Sequence, residues 1–253
     1  MLPKNNVVVV NTTTFNLLFM KKLLIVTLIC ILSFSQAQKV SFQSDMQVYY
    51  ELVFKPDPTS IKLVTNSVNL YLEKNQSIFQ DGNRHKVDSL IQSQQLTKLP
   101  SLPMFSTNHV IYKDLQKSEI VYSETIDNIN FGYNESIKSL KWKLLNGKKT
   151  ILNLQCNQAS IDFHGRIYTA WYTRDIPIAD GPYKFSGLPG LILEVYDNEE
   201  NFHYKALAIT KKHMNIVYDT SFNVIDRKKL RDTKINNIIK HKPDIKLNPM
   251  EKD

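Results

Sequence analysis

From Gln43 to Phe54 the chain alternates, with Met46, Val48, Tyr50, Leu52 and Phe54 on one side and Gln47, Tyr49 and Glu51 on the other. A period of two marks a half-buried strand, and Pro56-Asp57-Pro58 ends it. Val68, Leu70 and Leu72 give a second strand, and Ser77 to Gln80 a short third that stops at Asp81-Gly82. The period then changes. Val87, Leu90, Ile91 and Gln94 fall at helical spacing, so Arg84 to Gln95 is predicted as a short helix, closed by Pro100 and Pro103. Alternation resumes over His109–Asp114, Glu119–Ile126, Asn128–Asn134 and Lys141–Leu145, where Asn146-Gly147 predicts a hairpin to Ile151–Ala159. His164-Gly165 marks the next turn, into Ile167–Thr173, and Leu191–Tyr196 and Phe202–Ile209 are joined by the polar turn Asp197–Asn201. About ten strands at this spacing predict an antiparallel meander. Beyond Thr210 the pattern thins, and Asp226 is placed to cap a helix over Arg227–Lys240 with a narrow stripe of Leu230, Ile235, Ile238 and Ile239. Pro243 to Asp253 reads as a polar tail.

The expected fold is therefore mainly β: one large curved antiparallel sheet with a short helix and a weak C-terminal helical tail. Strands twist and exposed edges are a liability, so so many strands must curl. The concave face then fills itself, takes a plug such as the 84–95 helix, or holds a ligand.

The N-terminal region changes what counts as the mature chain. Met20-Lys21-Lys22, the apolar run Leu23–Leu32 and the small-residue site at Ser35-Gln36-Ala37 have the three parts of a secretory leader. The run is short for a membrane span of about 20 residues. The expected division is a mis-assigned extension at 1–19, a signal peptide at 20–37, a β-rich domain at 38–210 and a basic, partly helical tail at 211–253. Export leaves Cys156 as the only cysteine of the mature chain, so its core must stand without an internal disulfide. The leader takes Lys4, Lys21 and Lys22 and no acid, which lowers the formal charge from +8 to +5. A moderately basic exported protein suits an anionic membrane or polysaccharide surface. Export and the absence of a basic patch interleaved with aromatics argue against nucleic acid.

Candidate chemistry is sparse. Ser186 lies in Phe-Ser-Gly rather than a nucleophile elbow, and Cys156 and His164 could converge only across a hairpin. Asp175 and Glu194 flank the central stretch and are the available acid pair. The six histidines are scattered, with no metal-ligand spacing, so no metal or cofactor is expected. What remains is the stretch Gly181 to Ile192, where three glycines and two prolines surround Tyr183, Phe185, Leu188 and Leu191. Glycine opens backbone angles that proline closes, so the stretch reads as a shaped connection between strands. It serves either as a rigid apolar turn or as a recognition loop.

With Cys156 and the segment Tyr168–Pro177, this stretch resembles the GLPGLI (Porph_ging) family of exported Bacteroidota proteins. The block Gly187-Leu188-Pro189-Gly190-Leu191-Ile192 is that signature letter for letter. The resemblance implies a Gram-negative envelope protein, in the periplasm or at the outer membrane, without established catalysis. It also implies an open half-barrel like that of lipoprotein carriers, and for some members an association with TonB-dependent receptors. The binding positions expected are Trp171, Tyr172, Tyr183, Phe185, Gly187, Leu188, Pro189, Gly190, Leu191 and Ile192. The partner would be a hydrophobic ligand, lipid or peptide, or an outer-membrane receptor, with peripheral membrane contact. The alternative is an envelope hydrolase using Cys156 or the acid pair.

Overall fold

Alternation at the start of the chain is carried through into strands, and what differs is how many there are and how far they curl. The computed structural model describes residues 39–59, 61–84, 87, 107–241, 243–244 and 246–252. The expected leader and nearly all of the 84–95 helix lie outside the described residues. The strands are β1 (Lys39–Ser44), β2 (Met46–Phe54), β3 (Val64–Glu73), β4 (Gln76–Asp81), β5 (His109–Asp114), β6 (Glu119–Ile126) and β7 (Ile129–Ser136). They continue with β8 (Lys143–Ile151), β9 (Leu154–Phe163), β10 (Arg166–Thr173), β11 (Leu191–Asp197), β12 (Phe202–Thr210), β13 (Met214–Asp219) and β14 (Asn223–Val224). An α-helix, α1, spans Arg227–His241. Asp226 caps it as expected, accepting from the Lys228 N–H at 2.9 Å. Among the described residues, no helix is long and apolar enough to cross a membrane.

Twelve strands form one sheet in the order β14-β7-β6-β5-β4-β3-β2-β12-β11-β10-β9-β8, antiparallel except for the β14–β7 pair. It is mainly β, as the meander predicted, and it is not closed into a barrel. Its curl can be read from one side chain. Tyr183 lies 6.3 Å from the ring of Tyr122 on β6 and 6.3 Å from Phe163 on β9. Those strands stand eight places apart in the sheet, which in a flat sheet is about 38 Å at ordinary strand spacing. The sheet therefore wraps around the loop that carries Tyr183.

The two faces of the middle strands are both covered. Val68, Leu70 and Leu72 of β3 join the large inner core, while Tyr71 faces the outer side with Ile78, Val110 and Tyr112. That outer cluster is closed by a separate ribbon of β1 and β13, which brings in Phe42, Ile216 and Tyr218. The Tyr218 hydroxyl donates to Ser123 Oγ at 3.0 Å. Neither ribbon strand was anticipated. Past Thr210, two strands, α1 and the segment 246–252 belong to the same compact unit, Lys39–Asp253.

The turns divide. Asp127-Asn128 and His164-Gly165 have positive φ at both positions, the geometry of two-residue hairpins. Asn146-Gly147 does not form the expected hairpin. It lies inside β8 at a bulge, where Leu144 to Lys148 oppose only Ala159 to Asn157, and the turn is made by Leu152 (φ 50°) and Asn153 (φ 63°). The bulge and the lysines Lys143, Lys148 and Lys149 guard this free edge of the sheet against pairing.

Candidate functional site

The connection from Thr173 to Leu191 enters the hollow of the sheet and fills part of it. Its backbone is held at both ends: Leu191 N–H donates to Ile176 C=O at 3.0 Å, and Ile192 N–H to Asp180 C=O at 2.8 Å. Gly190 is required where the chain turns back, because a Cβ there would stand 2.0 Å from the Thr173 carbonyl oxygen, at φ +149°. Phe185, fully buried, packs against Tyr168 (4.9 Å), Phe163 (5.0 Å) and Trp142 (6.2 Å), whose indole N–H donates to Ser186 C=O at 2.8 Å. Below the loop, buried Lys113 of β5 pairs with buried Asp180 and donates to the Gly181 carbonyl at 2.7 Å.

At the centre of the loop a charge is buried. Lys184 is wholly inaccessible, and its Nζ donates to Tyr133 Oη at 2.7 Å, Glu251 Oε1 at 2.7 Å and Glu135 Oε2 at 2.9 Å. The rings of Tyr133 (4.8 Å) and Tyr122 (5.1 Å) lie within cation–π reach. Glu251 also accepts from Tyr183 Oη at 2.6 Å and Arg227 Nη1 at 3.0 Å. Burial pushes the Glu251 carboxyl up, but the Lys184 ammonium, the Tyr183 hydroxyl and His164 outweigh it and bring it down to about 2. Glu135, His164 and Glu251 bring ligand atoms within 4.8 Å of one another, a spacing open to a divalent ion. The Lys184 ammonium already bonds to both carboxylates of that trio.

Beside this cluster lies a cavity of about 790 Å³, between the inner sheet face, α1 and the segment 247–251. Leu52, Phe54, Phe202, Leu230, Ile235 and Ile238 are among its apolar walls. His109 also borders it. Its ring is stacked on Tyr122 at 5.6 Å, and its Nε2 is buried with no hydrogen-bond partner among the described residues. Burial drives the His109 imidazole down to about 4, so it is neutral at pH 7. Next to it Glu124 accepts from Tyr122 Oη and Lys234 Nζ, each at 2.7 Å.

The expected binding positions are mostly packing. Tyr172, Phe185, Leu188, Leu191 and Ile192 are in the inner core, and Gly187 and Pro189 are exposed on the loop's outer side. Trp171 is half-buried under Lys149. Tyr183 alone of them lines the cavity. Lys184, Glu135, His109 and Glu251 were not singled out. Lys184 offered a signal, a lysine inside an apolar Gly-Pro stretch, whereas Glu251 stands in a polar segment with none.

The hydrolase groups are placed unfavourably. Cys156 is buried, its thiol 3.6 Å from the Leu154 carbonyl, and burial pushes it up to about 11. Glu194 is bonded to Lys149 and to His203 at 2.8 Å. Burial raises its carboxyl, and these bonds more than reverse that, so it is held low where a general acid needs to be high. Asp175 is exposed.

Residues 161–194, from the end of β9 through the loop to β11, match the model of a family described as Protein of unknown function (Porph_ging). The GLPGLI resemblance is thereby shown. No curated protein matches the chain. Among solved structures it is similar to PNGF-II, in a P21 form (14% identity, TM-score 0.52) and a C2 form (15% identity, TM-score 0.52). Each match covers 78% of this chain but 34% or 33% of the other, so the chain spans about a third of the length of those proteins. That likeness is one of fold. Within the family match, the loop is the element around which the sheet curls.

Proposed function

We propose that the protein is a non-catalytic binding protein of the Gram-negative envelope that carries a hydrophobic ligand between the sheet and α1. The observation that carries this reading is the cavity of about 790 Å³, within the range of small-molecule sites. Its walls mix apolar side chains with polar and charged ones such as Glu124, Arg231 and Lys234, and His109 Nε2 stands buried at its margin without a partner among the described residues. The loop plugs one part of the hollow and leaves this part open. Exported, envelope-bound residence is part of the same proposal, resting on the leader pattern and the family resemblance.

A receptor-accessory role draws on a different observation, the exposed pair Ile61 and Leu63 ahead of β3. Two side chains make a small feature compared with the cavity, and the lysine-guarded β8 edge is ill suited to strand addition. The carrier reading is preferred.

The test is mass spectrometry under non-denaturing conditions on mature protein purified from its envelope, beside Leu230→Trp, which places an indole in the cavity. A stoichiometric apolar ligand on the parent that is lost from the variant is expected. An empty parent, or a ligand kept equally by both proteins, would sink the proposal.

A further inference from the structure

The segment 246–252 lies against the sheet without forming a strand, and it bends at Met250. Its main chain is read by other elements: Pro249 C=O accepts from Arg166 Nη2 at 3.0 Å, and Met250 C=O from Tyr168 Oη at 2.9 Å. Lys252 N–H donates to His164 C=O at 2.8 Å. Asn248 bridges Arg166 Nη2 and the Lys55 carbonyl, both at 2.8 Å. Two successive side chains then reach inward. Met250 places its sulfur 3.2 Å from Tyr204 Oη, and Glu251 enters the Lys184 cluster.

The contacts amount to a recognition pattern: main-chain bonds from fixed side chains, a pocket for an apolar residue, and a cationic cup for the acid that follows it. The cup has a charge requirement. Lys184 and Arg227 meet Glu135 and Glu251 there, so removing Glu251 leaves two cations facing Glu135 and room for one carboxylate. Arg166, which grips the segment, is itself buried and fixed by Asp197 at 2.6 Å, so the groove is built independently of what lies in it. Residues 247–251 also border the cavity, so part of the segment's inner side faces open space.

We propose that this groove binds a segment of a partner polypeptide in which an apolar residue is followed by Asp or Glu. Residues 246–252 are its intramolecular occupant, which the partner segment displaces. The inference rests on the binding-protein reading and adds a second ligand class at the rim of the cavity. A tethered occupant competes at an effective concentration on the order of millimolar, so binding in trans is masked until the tether's grip is loosened.

The experiment measures a fluorescent peptide with the sequence of residues 246–252 against the full mature chain and its Glu251→Gln variant. The variant is expected to bind the peptide at least ten-fold more tightly than the parent. A peptide with Gln for its Glu, or the Lys184→Met/Glu251→Gln chain, is expected to lose that gain. Equal binding by parent and variant, or indifference to the peptide's carboxylate, overturns the proposal. Dimerisation of the variant overturns it too, because the occupant would then be a second copy. Retention of a native apolar ligand by a chain that ignores the peptide overturns this inference and leaves the carrier reading standing. Should Glu251→Gln fail to fold, a specific protease site after Asp244 serves instead. After cleavage, excess peptide is expected to replace the freed segment, and a segment that stays bound overturns the proposal.

Discussion

Lys184 Nζ, buried in the middle of the Gly-Pro loop, lies 2.7 Å from Glu251 Oε1, so one ion pair joins the family motif to the far end of the described chain. With Glu135 at 2.9 Å, the lysine serves two acids. Lys184→Met would leave Glu135 and Glu251 in a largely desolvated site with Arg227 as their main remaining cation, at a cost of about 3–5 kcal/mol. Adding Glu251→Gln removes one of them, so the double variant should be more stable than Lys184→Met alone, with a coupling above about 1 kcal/mol. Urea unfolding of the four proteins in the cycle measures it. Additive losses would mean that the pair is not coupled.

Two groups make the fold acid-labile in adjoining ranges. His109 titrates at about 4 in the folded protein because it is buried, against about 6.5 in an unfolded chain. As pH falls below 6.5 the unfolded chain takes up the proton first, so stability drops until about pH 4, by on the order of 3 kcal/mol. Glu251 runs the other way in chemistry and the same way in sign. Its folded value near 2 lies below the unfolded one, so its stabilisation is complete above about pH 4.5 and is lost as pH falls towards 2. Denaturation midpoints from pH 7.5 to 2.5 should fall throughout. His109→Phe, which keeps the stack on Tyr122, should flatten the upper part only. A parent midpoint that stays level from pH 7 to 4.5 would refute a buried neutral His109.

The sheet was legible because its strands bury one face or both in a period of two, as in β2 and β3, and that pattern survives any tertiary context. The turns were legible only where polar residues and glycine supply positive φ. Leu152-Asn153 takes that role although leucine is poorly suited to it, and Asn146-Gly147 goes into a bulge opposite Gln158. The β1–β13 ribbon escaped because each strand is short and its only partner lies at the other end of the chain. The site escaped for a related reason. Residues 246–252 have no periodicity, since their hydrogen bonds go to Arg166, Tyr168 and His164 rather than to a neighbouring strand.

The glycines of the signature are not equivalent. Gly187 has φ +87°, and an added Cβ would meet Ile137 Cγ2 at 3.4 Å, ordinary contact. Gly187→Ala should therefore cost only left-handed strain, about 1–2 kcal/mol. Gly190→Ala adds a collision with the Thr173 carbonyl, backbone that cannot yield without moving the end of β10. It should cost about 3 kcal/mol or more. Thermal and urea unfolding rank the two, and equal losses would refute the steric account of Gly190.

Lys113 and Asp180 hold the entry to the same loop from beneath, and both are fully buried. Asp180 Oδ1 also accepts from the Gly181 N–H at 2.7 Å, while its Oδ2 has no partner among the described residues. Such a pair contributes little beyond what a packed apolar pair would, because desolvation consumes most of the attraction, yet either ion alone is severely penalised. Lys113→Met should thus destabilise by about 3–5 kcal/mol. The double variant Lys113→Met/Asp180→Leu should regain at least half of that loss, the remainder reflecting the Gly181 groups left without partners, about 1–3 kcal/mol each. Circular dichroism melts on the three proteins would show it. A double variant less stable than Lys113→Met would mean that the loop depends on the charges themselves, and not only on their mutual neutralisation.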